Sequence, residues 1–186
     1  MTQNNIKQLA YKFFNDTYSV DQNACSSPHM VIWIGKYHKD KINLFWNELS
    51  NLVISKYNLA EGSAFEKYSL LLKNLAQKEN LKINKKYSNY LYRVKIKKFN
   101  DDIINLRGKF GLFYECNMSN VKSISKFITN KIQTITYVGF KKEELIKFIK
   151  EENPNGIDRI VPIGTALDIG LIWDGYDLIK TLSREI

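Results

Sequence analysis

The chain has 186 residues, 44% of them hydrophobic and 25% charged. That length supports one domain with its own core, and the composition is that of a soluble globular protein, not a disordered or fibrous one. Two cysteines are too few for a disulfide scaffold and point to a reducing cytoplasm, while a net charge of +9 is compatible with an anionic partner or simply with a Lys- and Asn-rich composition.

The start, Met1 to Leu9, is polar and lacks an apolar core segment, which predicts no signal peptide. Ile6, Leu9, Ala10, Phe13 and Phe14 recur at helical spacing and predict a helix over 4–16. A polar loop rich in turn formers runs from Asn15 to Pro28. Met30 to Ile34 then reads as a buried strand, far too short to cross a membrane. Ile42, Phe45, Trp46, Leu49, Leu52 and Val53 predict a long helix over 39–56. Ser63 followed by Glu66 suggests a capping box opening a helix to Lys78, with Phe65, Leu71, Leu72 and Leu75 inward.

The period then changes to two. Tyr90, Tyr92, Val94 and Ile96 alternate with Leu91, Arg93, Lys95 and Lys97, predicting a strand with an apolar and a largely basic face. Gly111 to Cys116 reads as a strand, 119–130 as a helix with Val121, Ile124, Ser125 and Ile128 inward, 134–138 as a strand and 141–152 as a helix. Asn153-Pro154-Asn155-Gly156 breaks the chain. A strand over 159–163 and a final helix over 176–184 complete it. Strands alternating with helices predict an α/β fold with a mixed or parallel sheet flanked by helices, forming a single domain over 1–186. No Gly-x-Gly-x-x-Gly and no P-loop occur, so a complete nucleotide-binding fold is not expected here.

Cys25 is the main chemical candidate. It lies in a polar loop just before a buried strand, among Asp21, Gln22, Asn23, Ser26, Ser27 and His29. A thiolate is the reactive form of cysteine, and nearby donors and positive charge favour it. Backbone N–H groups in a tight turn can also stabilise a developing oxyanion. The alternative is a buried cysteine acting as a small hydrophobe, which is also the favoured reading of Cys116.

The segment Asn15-Asp16-Thr17-Tyr18-Ser19-Val20-Asp21-Gln22-Asn23-Ala24-Cys25-Ser26-Ser27-Pro28-His29 resembles the active-site segment of the LuxC-type acyl-CoA reductases, members of the aldehyde dehydrogenase superfamily. Phe110-Gly111-Leu112-Phe113-Tyr114-Glu115 is similar to the superfamily's Gly-Leu strand. The stretch from Asp158 to Asp177, with Asp158-Arg159-Ile160-Val161-Pro162-Ile163-Gly164-Thr165, resembles the family's C-terminal segment. The resemblance implies an aldehyde dehydrogenase-like catalytic domain in which Cys25 takes an acyl group from a fatty acyl-CoA or an acyl-transferring partner protein. NADPH hydride then reduces the acyl-cysteine to an aldehyde. It also implies an oligomer, and a nucleotide-binding half that whole members carry before this segment, so NADPH would be bound mainly outside this chain.

Other residues carry weaker signals. His29 reads as a base for the thiolate or as a structural histidine. Two His and two Cys without ligand spacing do not suggest zinc. Residues 80–100 hold seven basic side chains, three tyrosines among them and no acid, which fits a solvated edge strand or a nucleic-acid surface. Arg159 could meet a phosphate or a carboxylate. Asp174 or Asp177 would cap the last helix. Two further readings stay open: a basic nucleic-acid-binding module, and a thiol acyltransferase or hydrolase without a nicotinamide cofactor.

Overall fold

The computed structural model describes residues 2–36, 38–173 and 175–184, with the side chains at 101 and 102 outside the described set. The predicted first helix forms as α1 (Gln3–Thr17), opened by Thr2, whose hydroxyl accepts from the Asn5 N–H. After the loop come β1 (Met30–Ile34) and α2 (Lys39–Lys56), both at their predicted limits. The helix stripes are what the sequence spacing places inward. Ile6, Ala10 and Phe13 of α1 meet Ile42, Phe45, Trp46, Leu49 and Val53 of α2. Phe13 sits edge-on to Phe45 and Trp46, with centroids 5.5 and 6.0 Å away. Full burial of side chains such as Trp46, Leu49 and Val53 stabilises by roughly 1.5–3 kcal/mol each.

The next helix, α3 (Glu61–Gln77), departs from expectation. Its N-cap is Ala60, Ser63 lies inside the helix, and no side chain caps the end. Phe65 and Leu72 are exposed, and Leu71 carries the inward contact. After α3 come β2 (Leu81–Tyr87), β3 (Leu91–Ile96), α4 (Asp101–Ile104) and β4 (Leu112–Met118). The four strands make one sheet in the order β1-β4-β3-β2. β1, β4 and β3 are parallel, and β2 is antiparallel to β3. The sheet is thus mixed, with helices on both faces. Period two assigns the faces: Val31, Trp33, Leu91 and Phe113 turn to α1 and α2, whereas Ile32, Tyr92, Val94, Leu112 and Tyr114 turn to α3 and α4.

The expectation of a basic, solvated face on β3 holds at Lys95 and at Lys97 just beyond the strand, both exposed. It is corrected at Arg93: from Leu91 to Val94 the strand is buried on both faces, because it is interior. Arg93 is 2% exposed and pairs with Glu115 on β4 at 2.8 Å. That carboxylate also accepts from Trp33, Trp46 and Asn84. The solvated edge strand expected within residues 80–100 is β2, which carries the exposed Lys82, Lys85 and Lys86.

The remainder forms a smaller unit. The predicted helix over 119–130 is instead a 3-10 turn over Val121–Phe127, opened by Asn120, and only Ile128 of the four expected residues is buried. β5 (Thr134–Tyr137) pairs in parallel with β6 (Arg159–Pro162) around α5 (Lys142–Glu152). A short hairpin, β7 (Ile172–Trp173) with β8 (Tyr176–Asp177), precedes α6 (Leu178–Leu182). Asp177 caps α6, which is shorter than predicted, and Asp174 lies outside the described residues. No helix among the described residues is long and apolar enough to cross a membrane.

Candidate active site

The thiol loop starts where α1 ends. A 3-10 turn over Tyr18–Val20 leads into Asp21 and Gln22, both in left-handed backbone at φ 55° and 59°. This pair reverses the chain and lets the Gln22 N–H donate to the Thr17 carbonyl at 2.7 Å. A second turn closes with Ser27 N–H on Ala24 O at 3.0 Å, and Cys25 and Ser26 are its central residues. Cys25 is exposed there, and Ser26 and Ser27 are buried beneath it.

Gln22 holds this shape. Its side chain is 1% exposed and makes three hydrogen bonds. Nε2 donates to Pro28 O at 2.9 Å and Leu112 O at 3.1 Å, while Oε1 accepts from Gly111 N at 3.0 Å. The amide therefore ties both ends of the thiol loop to the start of β4. Gly111 must lack a side chain: at φ 90° a Cβ would strike the Tyr90 carbonyl oxygen and the Tyr18 hydroxyl. Below this contact, buried Lys67 donates to the carbonyls of Asn89 and Phe110, the latter at 2.8 Å. Burial without a carboxylate partner pulls its ammonium down to about 7. At the other end of the loop, Asp16 accepts from Gly164 N at 2.6 Å and Ala166 N at 2.9 Å. The end of α1 and the segment after β6, far apart in sequence, are thus joined directly. Burial raises the Asp16 carboxyl, and its two backbone donors offset part of that rise.

Cys25, Ser26, Ser27 and His29 line one cavity of about 500 Å³. Its long walls are β1 and β5, which belong to separate sheets. The two strands stand more than 8 Å apart at Cα almost everywhere, where paired strands lie about 4.8 Å apart. Above and below, Leu9, Phe13, Phe45, Ile124 and Leu145 close it with apolar surface. His29 Nδ1 is 3.0 Å from the Gly108 carbonyl. A carbonyl only accepts, so Nδ1 carries the proton and Nε2 is left as an acceptor. Burial, reinforced by the Arg107 charge, lowers His29 to about 4, so the ring is neutral at pH 7. Ser27 Oγ is buried with no hydrogen-bond partner.

Four of the seven residues singled out from the sequence thus line the cavity, and Asp21, Gln22 and Asn23 do not reach it. Asp21 faces away and accepts from the Tyr57 hydroxyl at 2.5 Å. Asn23 is exposed and lies outside the cavity wall. Gln22 acts on the loop and not on the thiol. Arg107, at the cavity rim, was not foreseen; its loop is brought there by the β1–β4 pairing, which sequence spacing does not reveal.

The remaining candidates resolve as structure. Cys116 is buried on β4, and desolvation pushes its thiol up to about 12. Arg159 donates to the Ala166, Thr165 and Asp168 carbonyls and stacks on Trp173, 4.4 Å from the ring centroid, and its charge acts on the Asp16 carboxylate. Compared with known proteins, the chain matches no protein-family model and no curated sequence.

Proposed function

We propose that this chain is the thiol-bearing catalytic portion of a fatty acyl-CoA reductase of the LuxC type, with an aldehyde dehydrogenase-like fold and Cys25 as the residue that becomes acylated. The observation that carries the reading is the contrast between the two thiols. Cys25 is exposed on a clamped turn at the mouth of an apolar cavity, while Cys116 is buried and held protonated. The direct contact of Asp16 with Gly164 and Ala166 adds support, since it unites the two segments that carry the resemblance.

In acylation the Cys25 sulfur bonds to the thioester carbonyl carbon, the carbon–sulfur bond to CoA breaks, and the leaving thiolate takes up a proton. The unpartnered Ser27 hydroxyl suits the carbonyl oxygen as a donor. His29 suits an orienting role better than that of a base. Burial holds its ring near 4, so it takes up a proton poorly at neutral pH. The apolar walls suit an acyl chain.

NADPH would supply the hydride for the second half of the reaction. The described residues do not fit such a cofactor: the β1–α2 connection has the single glycine Gly35, and no Gly-rich strand-to-helix turn cradles a pyrophosphate. No reductive step is therefore assigned to these side chains.

The test is intact mass after incubation with a long-chain acyl-CoA, for the unaltered chain and Cys25→Ala. A hydroxylamine-labile acyl adduct on the first and none on the second is the expected result. An adduct that persists in Cys25→Ala, or none even with a nucleotide-binding half supplied in trans, rejects the reading. Rapid release of free acid from the adduct in water would instead favour a thiol hydrolase.

A further inference from the structure

The cavity beside Cys25 has a wall chemistry that acyl transfer leaves partly unused. Its lining is mostly aliphatic and aromatic, with two cations at the rim, Arg107 and Lys131, and no aspartate or glutamate anywhere in it. Arg107 offers five N–H donors. Its contacts are the carbonyl oxygens of Ile104 and Leu106 from Nη1 and of Lys131 from Nη2. No carboxylate among the described residues neutralises it, and the influence on its guanidinium is desolvation. Ser27 Oγ, buried in the same wall, has no partner either. A ligand that answers all of these features has a long apolar body and an end that only accepts hydrogen bonds and carries negative charge. A thioester has the body but a neutral carbonyl.

We propose that this cavity also binds a free long-chain carboxylate, with its head on Arg107 and the Ser27 hydroxyl and its chain between β1 and β5. The binding is non-covalent. It shares the cavity of the acylation reading but needs no chemistry at Cys25. The dimensions suit it: about 500 Å³ lies within the range of small-molecule pockets. The slot runs along all five residues of β1, roughly 15 Å of strand. Each methylene that enters it tightens binding about fourfold, until the slot is full. A bound acid fills the path an acyl chain would take, so it competes with acyl transfer.

The experiment uses the full chain carrying Cys25→Ser, so that no adduct forms, loaded with an environment-sensitive naphthalene dye. Laurate, octanoate and methyl laurate are titrated in as competitors. Laurate is expected to displace the dye at least about tenfold more tightly than its methyl ester, the scale of a charge-assisted pair. Octanoate competes more weakly than laurate. Arg107→Gln brings laurate down to the level of the ester and leaves the ester unchanged, and Arg107→Lys recovers part of the difference. Equal competition by acid and ester, or no displacement by either, overturns the proposal. That comparison needs only the protein with Arg107 in place, so it decides the matter even where the Arg107 variants fail to fold. An acyl adduct on Cys25 in the separate mass experiment is unaffected by either outcome, so the two readings fail independently.

Discussion

The two sides of the cavity are built to different standards. On one side, the inner strands β3 and β4 of the four-stranded sheet are buried over most of their length, and at its centre the Glu115 carboxylate receives Arg93, two tryptophans and Asn84. On the other side, every residue of β5 is only half-buried, and β5–β6 contributes no residue to the buried set of either core cluster. It is attached through the Asp16 contact, through Arg107 on the Lys131 carbonyl and through apolar contacts. The firm side holds the thiol loop in one shape. The looser side supplies the facing wall, and its separation from β1 is what leaves room for a ligand.

Breaking the firm side should cost most. Glu115→Ala leaves Arg93 charged and buried without its partner, and should lower stability by about 3–5 kcal/mol in urea unfolding. Ile135→Ala on half-buried β5 should cost only about 1 kcal/mol. Equal losses at the two positions would erase the distinction between the sides.

The next effect concerns Lys67, whose ammonium falls from 10.5 to about 7 on folding. In that window the unfolded chain binds the extra proton, so stability rises with pH from about 7 upward and stops rising near 10.5. Between about pH 7 and 9.5 the unaltered protein should gain on the order of 3 kcal/mol at most relative to Lys67→Met. Parallel pH–stability curves for the two proteins would show that the charge is not buried as described.

His29 sits where the two sides meet and gives the smallest shift. Its folded value is lowered from 6.5 to about 4, so its contribution is present above 6.5 and lost as pH falls toward 4. Relative to His29→Gln, the unaltered protein should lose on the order of 2 kcal/mol across that window. Chemical denaturation at a series of pH values checks it, and a flat difference would place the ring in water.

Much of the first side was legible from the sequence. α1, β1 and α2 carry uninterrupted apolar stripes, and local spacing decides such elements. An edge strand was legible within 80–100, but the limits of β2 were not, because Lys82, Lys85 and Lys86 mask the period, and a strand at a sheet edge needs no apolar face. Arg93 read as solvated because its partner Glu115 lies 22 positions away on a neighbouring strand, and only the β3–β4 register brings them together. The region 119–130 has helical spacing, yet it forms a 3-10 helix over Val121–Phe127 opened by Asn120, whose side chain accepts from the Ser123 N–H. At the site, residue type and turn chemistry pointed to Cys25 and its serines. The role of Gln22 as a clasp, and the arrival of Arg107 at the rim, depend on residues about 80 to 90 positions distant.

The contact made by Asp16 also orders events in time. Its two backbone donors lie 148 and 150 positions further along the chain. At a synthesis rate of about 5–20 residues per second, they emerge on the order of ten seconds after the helix they complete. Throughout that interval the carboxylate stays hydrated and the end of α1 lacks its closing partners. Cys25 is therefore synthesised well before the segment that closes the end of α1, and a nascent chain carries its loop with the preceding helix still unclosed until that distant segment docks.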